Sequence, residues 1–237
     1  MTGKRCEKIG GFLIFFFVFS SLLYAGRPLT TDDAYTVEKG KFELEIGYDF
    51  TENNDKTKNQ EIGISLKYGL TDWLDFGISS PFLIKESDLK VNEWKRIEIG
   101  AKFSILKENE KTPGISFTIS ATPNPNEGDT EFSLNSILSK NFGKLIWHLN
   151  LGTYFQKTSS SSEQYFTYST ALEYPISEKL NFVSEIVGKN NDEKPLEILI
   201  GLNFTLNDYI VYDFGFSKGL NNDASNWRIT TGFTFNW

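Results

Sequence analysis

The last eleven residues of the chain, WRITTGFTFNW from Trp227 to Trp237, predict the fold of the whole protein. Apolar residues or threonine occupy every second position from Trp227, and arginine, threonine, glycine and asparagine lie between them. Because side chains of a β-strand point alternately to its two faces, this stretch is predicted to be a strand with one apolar face. It ends on an aromatic residue, whereas the termini of most soluble domains are frayed and polar.

Eleven further segments upstream show the same period of two. In the first, Phe42 to Phe50, apolar residues alternate with glutamate, glycine and aspartate. No segment after residue 25 keeps the 3.6-residue apolar period of a helix. Ten residues tilted by about 40° span roughly 25 Å, the height of the apolar band of a membrane barrel. Residues 41–237 are therefore predicted to form an all-β fold, a twelve-stranded antiparallel up-and-down transmembrane β-barrel.

The predicted connections alternate in length. Tight turns follow strands 2, 6, 8 and 10, Leu106–Pro113 after strand 4 is longer, and the connections after odd strands are long and polar. This alternation is typical of barrels with short periplasmic turns, long outer loops and both termini in the periplasm. The predicted outer connections are Thr51–Gln60, Lys85–Glu93, Pro123–Thr130, Gln156–Gln164, Lys189–Lys194 and Lys218–Ser225.

An aromatic residue lies at or near the end of each even strand. Successive members are 30 to 39 residues apart, so the chain is predicted to be six hairpins in series. Together they are predicted to form the periplasmic aromatic girdle of an outer-membrane barrel. The six residues are Tyr68, Phe103, Phe142, Tyr174, Phe204 and Trp237.

A soluble sandwich or a lipocalin-like barrel with an apolar interior would show the same alternation. The even strand number, the loop asymmetry and the aromatic series favour the membrane barrel instead. The polar face also carries charges in mid-strand, such as Glu98 and Lys102. Such charges are hydrated or paired inside a lumen, whereas on a lipid face each would cost up to about 3 kcal/mol.

The first 40 residues are predicted to lie outside the barrel. Residues 1–25 have the basic head, apolar core and small cleavage-site residues of a signal peptide; about 13 apolar residues are too short for the alternative, an uncleaved membrane anchor. Residues 26–40 are expected to form a periplasmic N-terminal lead-in, with a plug inside the pore as the alternative. The one cysteine, Cys6, leaves with the signal peptide.

The polar side chains at alternate positions of the strands are predicted to point inward and line the lumen. We call these positions the inward, or polar, parity. Ten acids outnumber five bases on this parity, so the lumen is expected to favour cations and neutral solutes. The alternative is an interior in which the acids pair with Arg96, Lys102 and Arg228 and leave no open path. The predicted lumen-lining residues are Glu45, Asp75, Arg96, Glu98, Lys102, His148, Glu173, Glu185, Glu197, Asp213 and Arg228.

No catalytic, metal or cofactor site is predicted. His148 is the only histidine and lies on the inward parity, and no serine occurs at the strand spacing that outer-membrane lipases use. A zinc site needs three or four ligands, which one histidine without cysteine does not supply. The net charge of −7, without a basic cluster, argues against nucleic acid as a partner.

Two stretches, RPLTTDDAYTVEKGKFELE at Arg27–Glu45 and YGLTDWLDFGIS at Tyr68–Ser79, resemble a known family. It is the outer-membrane barrel family named after the MetA pathway of phenol degradation, whose members are often described as transporters. The C-terminal strand likewise resembles the strand by which bacterial outer-membrane barrels are recognised for insertion. The resemblance implies a barrel through which small solutes pass, aromatic ones among them.

We therefore expect a porin-like protein of the Gram-negative outer membrane. Its function is predicted to be passive diffusion of small aromatic or cationic solutes through an acidic lumen. The alternative is a closed structural or surface-binding barrel without transport. The predicted partners are outer-membrane lipid, the barrel assembly machinery, which would bind the C-terminal strand, and small solutes.

Overall fold

The computed structural model describes residues 26–124, 129–157 and 162–237. The predicted signal peptide lies outside the described residues, as do the tips of the predicted connections Pro123–Thr130 and Gln156–Gln164. No helix in the described ranges is long and apolar enough to cross a membrane. The strands are β1 (Phe42–Glu52), β2 (Lys58–Thr71), β3 (Leu74–Glu86), β4 (Leu89–Trp94), β5 (Glu98–Leu106), β6 (Gly114–Asn124), β7 (Asp129–Phe142), β8 (Leu145–Lys157), β9 (Ser162–Ser177), β10 (Leu180–Lys189), β11 (Leu196–Asn207), β12 (Ile210–Gly219) and β13 (Trp227–Asn236).

Twelve of these strands close into one ring. β1 pairs with both β2 and β13, β2 pairs with β3, and each later strand of the ring pairs with its neighbours. All these pairings are antiparallel; β1 and β13 meet from Glu43 opposite Asn236 to Glu52 opposite Trp227. β4 pairs only with the outer end of β3 and forms a hairpin beside the ring. The predicted twelve-stranded antiparallel barrel is thus confirmed.

The apolar parity faces outward. On β13, Phe233 is 40% exposed, whereas its inward neighbour Thr234 is 9% exposed. The buried side chains of the ring are mostly serine, threonine, asparagine, histidine and carboxylates. An apolar interior, as in the soluble alternative, is therefore wrong, because most large apolar side chains of the ring lie where lipid surrounds a membrane barrel.

Several outer connections are shorter than predicted. β1 continues to Glu52 and β2 begins at Lys58, so much of Thr51–Gln60 is strand. The predicted loop Lys85–Glu93 is largely the β3–β4 hairpin. Above the membrane both faces of a strand meet water, so the apolar alternation disappears although backbone pairing continues.

The six aromatic residues predicted as the girdle lie at one end of the barrel and point outward. Trp237 stacks on Phe42 with ring centroids 5.6 Å apart, and Phe42 lies 4.6 Å from the ring of Tyr68. The backbones of Phe42 and Trp237 also exchange two hydrogen bonds, which close the ring at this end. Trp73 and Tyr209 add further exposed aromatic surface in neighbouring turns.

Residues 26–38, which we call the inner segment, lie inside the barrel rather than beneath it. Thr31 and Asp33 are 1% and 3% exposed, and their contacts are with inward side chains of the ring. The expected periplasmic position is therefore wrong for this segment. The physical reason is that its charged and backbone groups find hydrogen-bonding partners on the polar inner wall.

Candidate functional site

The inner segment follows the inside wall through almost a full circuit. Arg27 contacts β1, β12 and β13, Thr30 and Thr31 contact β10, and Asp32 contacts β8. Ala34 then reaches β6 and β7, and the Val37 amide reaches β3. The segment thus narrows the lumen from the inside.

Arg27 makes the first anchor. Its guanidinium lies 3.8 Å from Asp49 and 3.5 Å from Asp213, and it donates a hydrogen bond to the Thr230 hydroxyl. A Cβ atom at Gly47 or Gly232 would occupy the position of this guanidinium or come into close contact with it. Glycine at these positions is therefore what lets arginine lie flat against the wall.

Glu185 makes the second anchor. Its carboxylate accepts hydrogen bonds from the Thr30 amide at 2.9 Å, the Thr31 amide at 2.8 Å and the Thr31 hydroxyl at 2.8 Å. Hydrogen bonds to an ionised acceptor are stronger than bonds between neutral groups. A carboxylate predicted to line an open lumen is therefore bound to the backbone of the inner segment.

Lys102 and Asn150 make the third anchor. The Lys102 ammonium donates to the Asp32 carboxylate at 2.8 Å and to the backbone carbonyls of Asp33 and Tyr35 at 3.1 Å each. All three donors of the ammonium are therefore used. The side-chain amide of Asn150 accepts from the Asp32 amide and donates to the Asp32 carbonyl, both at 2.8 Å.

His148 belongs to a buried chain of hydrogen bonds beneath Ala34. Its Nδ1 lies 2.7 Å from the Ser139 hydroxyl and its Nε2 lies 3.1 Å from Glu173, while the Ala34 amide donates to Ser139 at 2.8 Å. From the sequence, serines were considered only at a spacing along the strand of His148; the serine that contacts it, Ser139, is directly opposite on β7. All three side chains are at most 1% exposed, so no substrate reaches Ser139 in this conformation.

The inner segment leaves the lumen at the end that carries the termini. The Val37 amide donates to Asp75 at 2.9 Å, and the Tyr35 hydroxyl donates to Glu108 at 3.4 Å. Glu108 lies in the turn between β5 and β6. Burial raises the pKa of its carboxyl, but hydrogen bonds from Lys140 and Asn141 outweigh burial and hold that pKa below its usual value.

Two adjoining cavities remain beside the inner segment. The larger, of about 240 Å³, is bounded by the start of the segment and by β1, β2 and β5 to β8; the smaller, of about 130 Å³, is bounded by β2, β3, β5 and β6. Four residues line both cavities, and we call them the eyelet. They are Asp32, Lys67, Glu98 and Thr118.

The predicted lumen residues serve different purposes in the structure. Asp75, Lys102, Glu185 and Asp213 hold the inner segment, and Glu45 and Glu98 border the larger cavity. The others lie on the same inward parity but bond to neighbours on the wall or are partly buried there. Arg228 pairs with Asp49, Glu197 accepts from Ser217 and Ser225, His148 pairs with Glu173, and Arg96 is half-buried with a partner of its own.

From the sequence, a plug inside the pore was only the alternative for this segment, although the inward glycines carried a signal for it. Gly47 is directly opposite both Gly63 and Gly232, and Gly201 is opposite Gly215. Because glycine has no side chain, one strip of the inner wall is bare backbone. Arg27 and Pro28 of the inner segment pack along that strip.

Comparisons with known proteins agree with this architecture. No curated protein matches the sequence. Among solved structures, an outer membrane channel from Pseudomonas putida F1 matches with a TM-score of 0.67 at 13% identity, covering 86% of this chain and 98% of that one. The KdgM porin in complex with disordered oligogalacturonate matches with a TM-score of 0.64 at 9% identity, covering 81% and 98%. The NanC porin matches with a TM-score of 0.59 at 13% identity, covering 82% and 98%.

These similarities are of fold alone, and the fold is that of bacterial outer-membrane channels. The sequence itself matches one family profile over residues 25–237, which is almost the whole chain. The chain is therefore an outer-membrane β-barrel and belongs to the family described as "Putative MetA-pathway of phenol degradation".

Proposed function

We propose that the protein is an outer-membrane channel through which small solutes diffuse passively. The observation that carries the proposal is the pair of cavities that meet at the eyelet inside a closed polar barrel. A barrel of twelve strands is intermediate between filled eight-stranded barrels and open porins. The inner segment narrows this lumen, so the channel is expected to conduct weakly.

The size of the cavities limits the solutes. Pockets for drug-sized ligands hold about 300–1,000 Å³, more than the larger cavity of about 240 Å³. Inorganic ions and small organic molecules are therefore the proposed solutes. Aromatic solutes of one ring fall within this class, and phenol, which the family description names, is such a molecule.

The proposed charge preference is for cations. Glu45 and Glu98 border the larger cavity, and each of its two basic side chains lies near two carboxylates. Lys67 is 2.8 Å from Glu43 and 3.5 Å from Glu45, while Arg27 lies near Asp49 and Asp213. A walled pore with surplus negative charge raises the local concentration of cations.

A closed barrel without transport is the second candidate. The inner segment favours it, because the anchors at Arg27, Glu185, Lys102 and Ser139 lie on most sides of the lumen. Such a barrel would serve as a structural or surface-binding protein through its outer hairpins.

Current recordings in planar lipid bilayers distinguish the two proposed functions. Purified protein reconstituted in a tenfold KCl gradient is expected to give small current steps and a reversal potential that indicates preference for potassium. Current steps that prefer chloride would contradict the acidic lumen. A silent bilayer, with the protein shown to be folded and inserted, would favour the closed barrel and reject the channel.

A further inference from the structure

The eyelet carries one charge that no neighbouring base compensates in the described structure. Its four residues, Asp32, Lys67, Glu98 and Thr118, each line both cavities. Asp32 pairs with Lys102, and Lys67 pairs with Glu43 and Glu45. None of the ion pairs among the described residues involves Glu98.

The wall beside Glu98 is lined by neutral oxygen acceptors. Ser120 is hydrogen-bonded to Ser133 at 2.7 Å, and both line the larger cavity with Asn135 and Tyr154. The Asn135 amide nitrogen donates to Asn150 at 3.2 Å, which leaves the Asn135 carbonyl oxygen as an acceptor. The cavity therefore has a carboxylate, an amide carbonyl and hydroxyl oxygens along one side.

The basic residues that line the larger cavity do not neutralise the negative charge of Glu98. Lys67 and Arg27 each lie within 4 Å of two carboxylates, so each group as a whole carries no surplus positive charge. Tyr154 adds an aromatic ring that is stacked on Tyr165 with centroids 4.9 Å apart. The combination of carboxylate, neutral acceptors and ring suits an organic cation better than a hydrated metal ion, because its apolar part can contact the ring.

From this arrangement we propose that the larger cavity binds the primary ammonium group of a small amine solute and that Glu98 selects it. A primary ammonium has three N–H donors, which match Glu98, the Asn135 carbonyl and the Tyr154 hydroxyl. The site discriminates by charge against alcohols and by hydrogen bonding against quaternary ammonium ions. The inference rests on the proposed function for its transport role, but binding can be measured without transport.

The experiment compares n-butylammonium with tetramethylammonium, which has the same charge but no N–H donor. Binding is measured by calorimetry on the full mature protein in detergent, and block of potassium current is measured in bilayers. Wild-type protein is expected to bind n-butylammonium at least tenfold more tightly than tetramethylammonium. The E98Q variant is expected to weaken n-butylammonium binding at least tenfold.

The matched control is E197Q, which removes an inward carboxylate that is bonded to Ser217 and Ser225 and does not border the cavities. It is expected to change binding less than twofold. Y154F removes a hydroxyl and keeps the Glu98 carboxylate, and it is expected to weaken n-butylammonium binding two- to fivefold. If E98Q does not fold, Y154F tests the site in its place.

The outcomes separate the two proposals. Binding that depends on Glu98 in a protein that does not conduct would support the amine site and reject the channel. Conductance without such binding would overturn the amine site and leave the channel standing. Equal affinity for the two ammonium ions, or no effect of either E98Q or Y154F, would also overturn the amine site.

Discussion

Arg27 reaches its partners because the wall in front of it has no side chains. Gly47 and Gly232 are opposite each other, and the guanidinium lies over both. Asp213 is 1% exposed and relies on Arg27 for charge compensation. A buried carboxylate that loses its cation is strongly destabilised, by about 3 kcal/mol. The first anchor of the inner segment thus depends on two glycines, Gly47 and Gly232, which leave room for the Arg27 side chain.

Gly47→Ala is expected to displace Arg27 and loosen the inner segment while the barrel still folds. The added Cβ would overlap the guanidinium, which is the mobile end of a long side chain and can move away. Without this anchor the segment should occupy the lumen less firmly, so single-channel conductance should rise and become noisier.

Gly63→Ala is the control for this substitution. Gly63 is directly opposite Gly47, but a Cβ built on it has no atom within 4 Å. It should conduct like the wild type. Equal conductance of both variants and the wild type would show that the Arg27 anchor does not control the lumen.

The strands could be predicted from the sequence, but the contacts of the inner segment could not. Apolar alternation is a local property, so stretches such as Phe42–Phe50 and Trp227–Trp237 can be recognised as strands from their own residues. The inner segment has no periodicity, and its bonds join distant positions, such as Thr31 and Glu185, which are 154 residues apart. The polar side chains of the strands could be assigned to one face from the sequence, but which of the acids on that face bind the segment depends on this distant pairing.

The position of the inner segment can be tested with a disulfide. A Cβ atom at Gly114 would lie 3.3 Å from the Cβ of Ala34, slightly closer than the roughly 3.5–4.5 Å typical of disulfides. The double variant A34C/G114C is therefore expected to crosslink readily in isolated outer membranes under mild oxidation. Mass spectrometry of a tryptic digest would show the linked peptides.

The control pairs A34C with a cysteine at Gly63, which is on a distant part of the inner wall. That variant should remain reduced under the same conditions. Failure of A34C/G114C to crosslink, or equal crosslinking of both pairs, would contradict the fixed position of the segment.

The last strand closes the barrel against the first. Phe42 and Trp237 exchange two backbone hydrogen bonds and stack their rings. We propose that the assembly machinery recognises this strand. Deleting Trp237 is therefore expected to reduce the amount of folded protein in the outer membrane severalfold, while the molecules that do assemble conduct normally.

Phe142→Ala is the control for the Trp237 deletion. Phe142 is also an exposed aromatic residue at a strand end, but it is the last residue of β7 and pairs with Leu145 of β8 instead of with β1 or β13. Quantitative immunoblots of heat-modifiable, folded protein would compare the two. Assembly of the Trp237 deletion at the wild-type level would mean that closure does not depend on this residue.

At the scale of the whole molecule, the protein is a barrel within which its own N-terminal residues form a partial inner ring. The outer ring provides the apolar surface for lipid and the polar wall for the lumen. The inner segment determines how much of that lumen remains, because the two cavities lie only where the segment leaves room. We propose that this segment, and not the ring of strands, limits the flow of solutes.

Single-channel conductance of the wild type and of a variant without residues 27–37 would show which of the two sets the flow. The deletion removes the anchors but no strand, so the twelve-stranded ring should still form. Conductance in symmetric KCl is expected to rise about threefold or more, toward that of an open barrel of this size. A folded deletion variant whose conductance equals that of the wild type would contradict the claim.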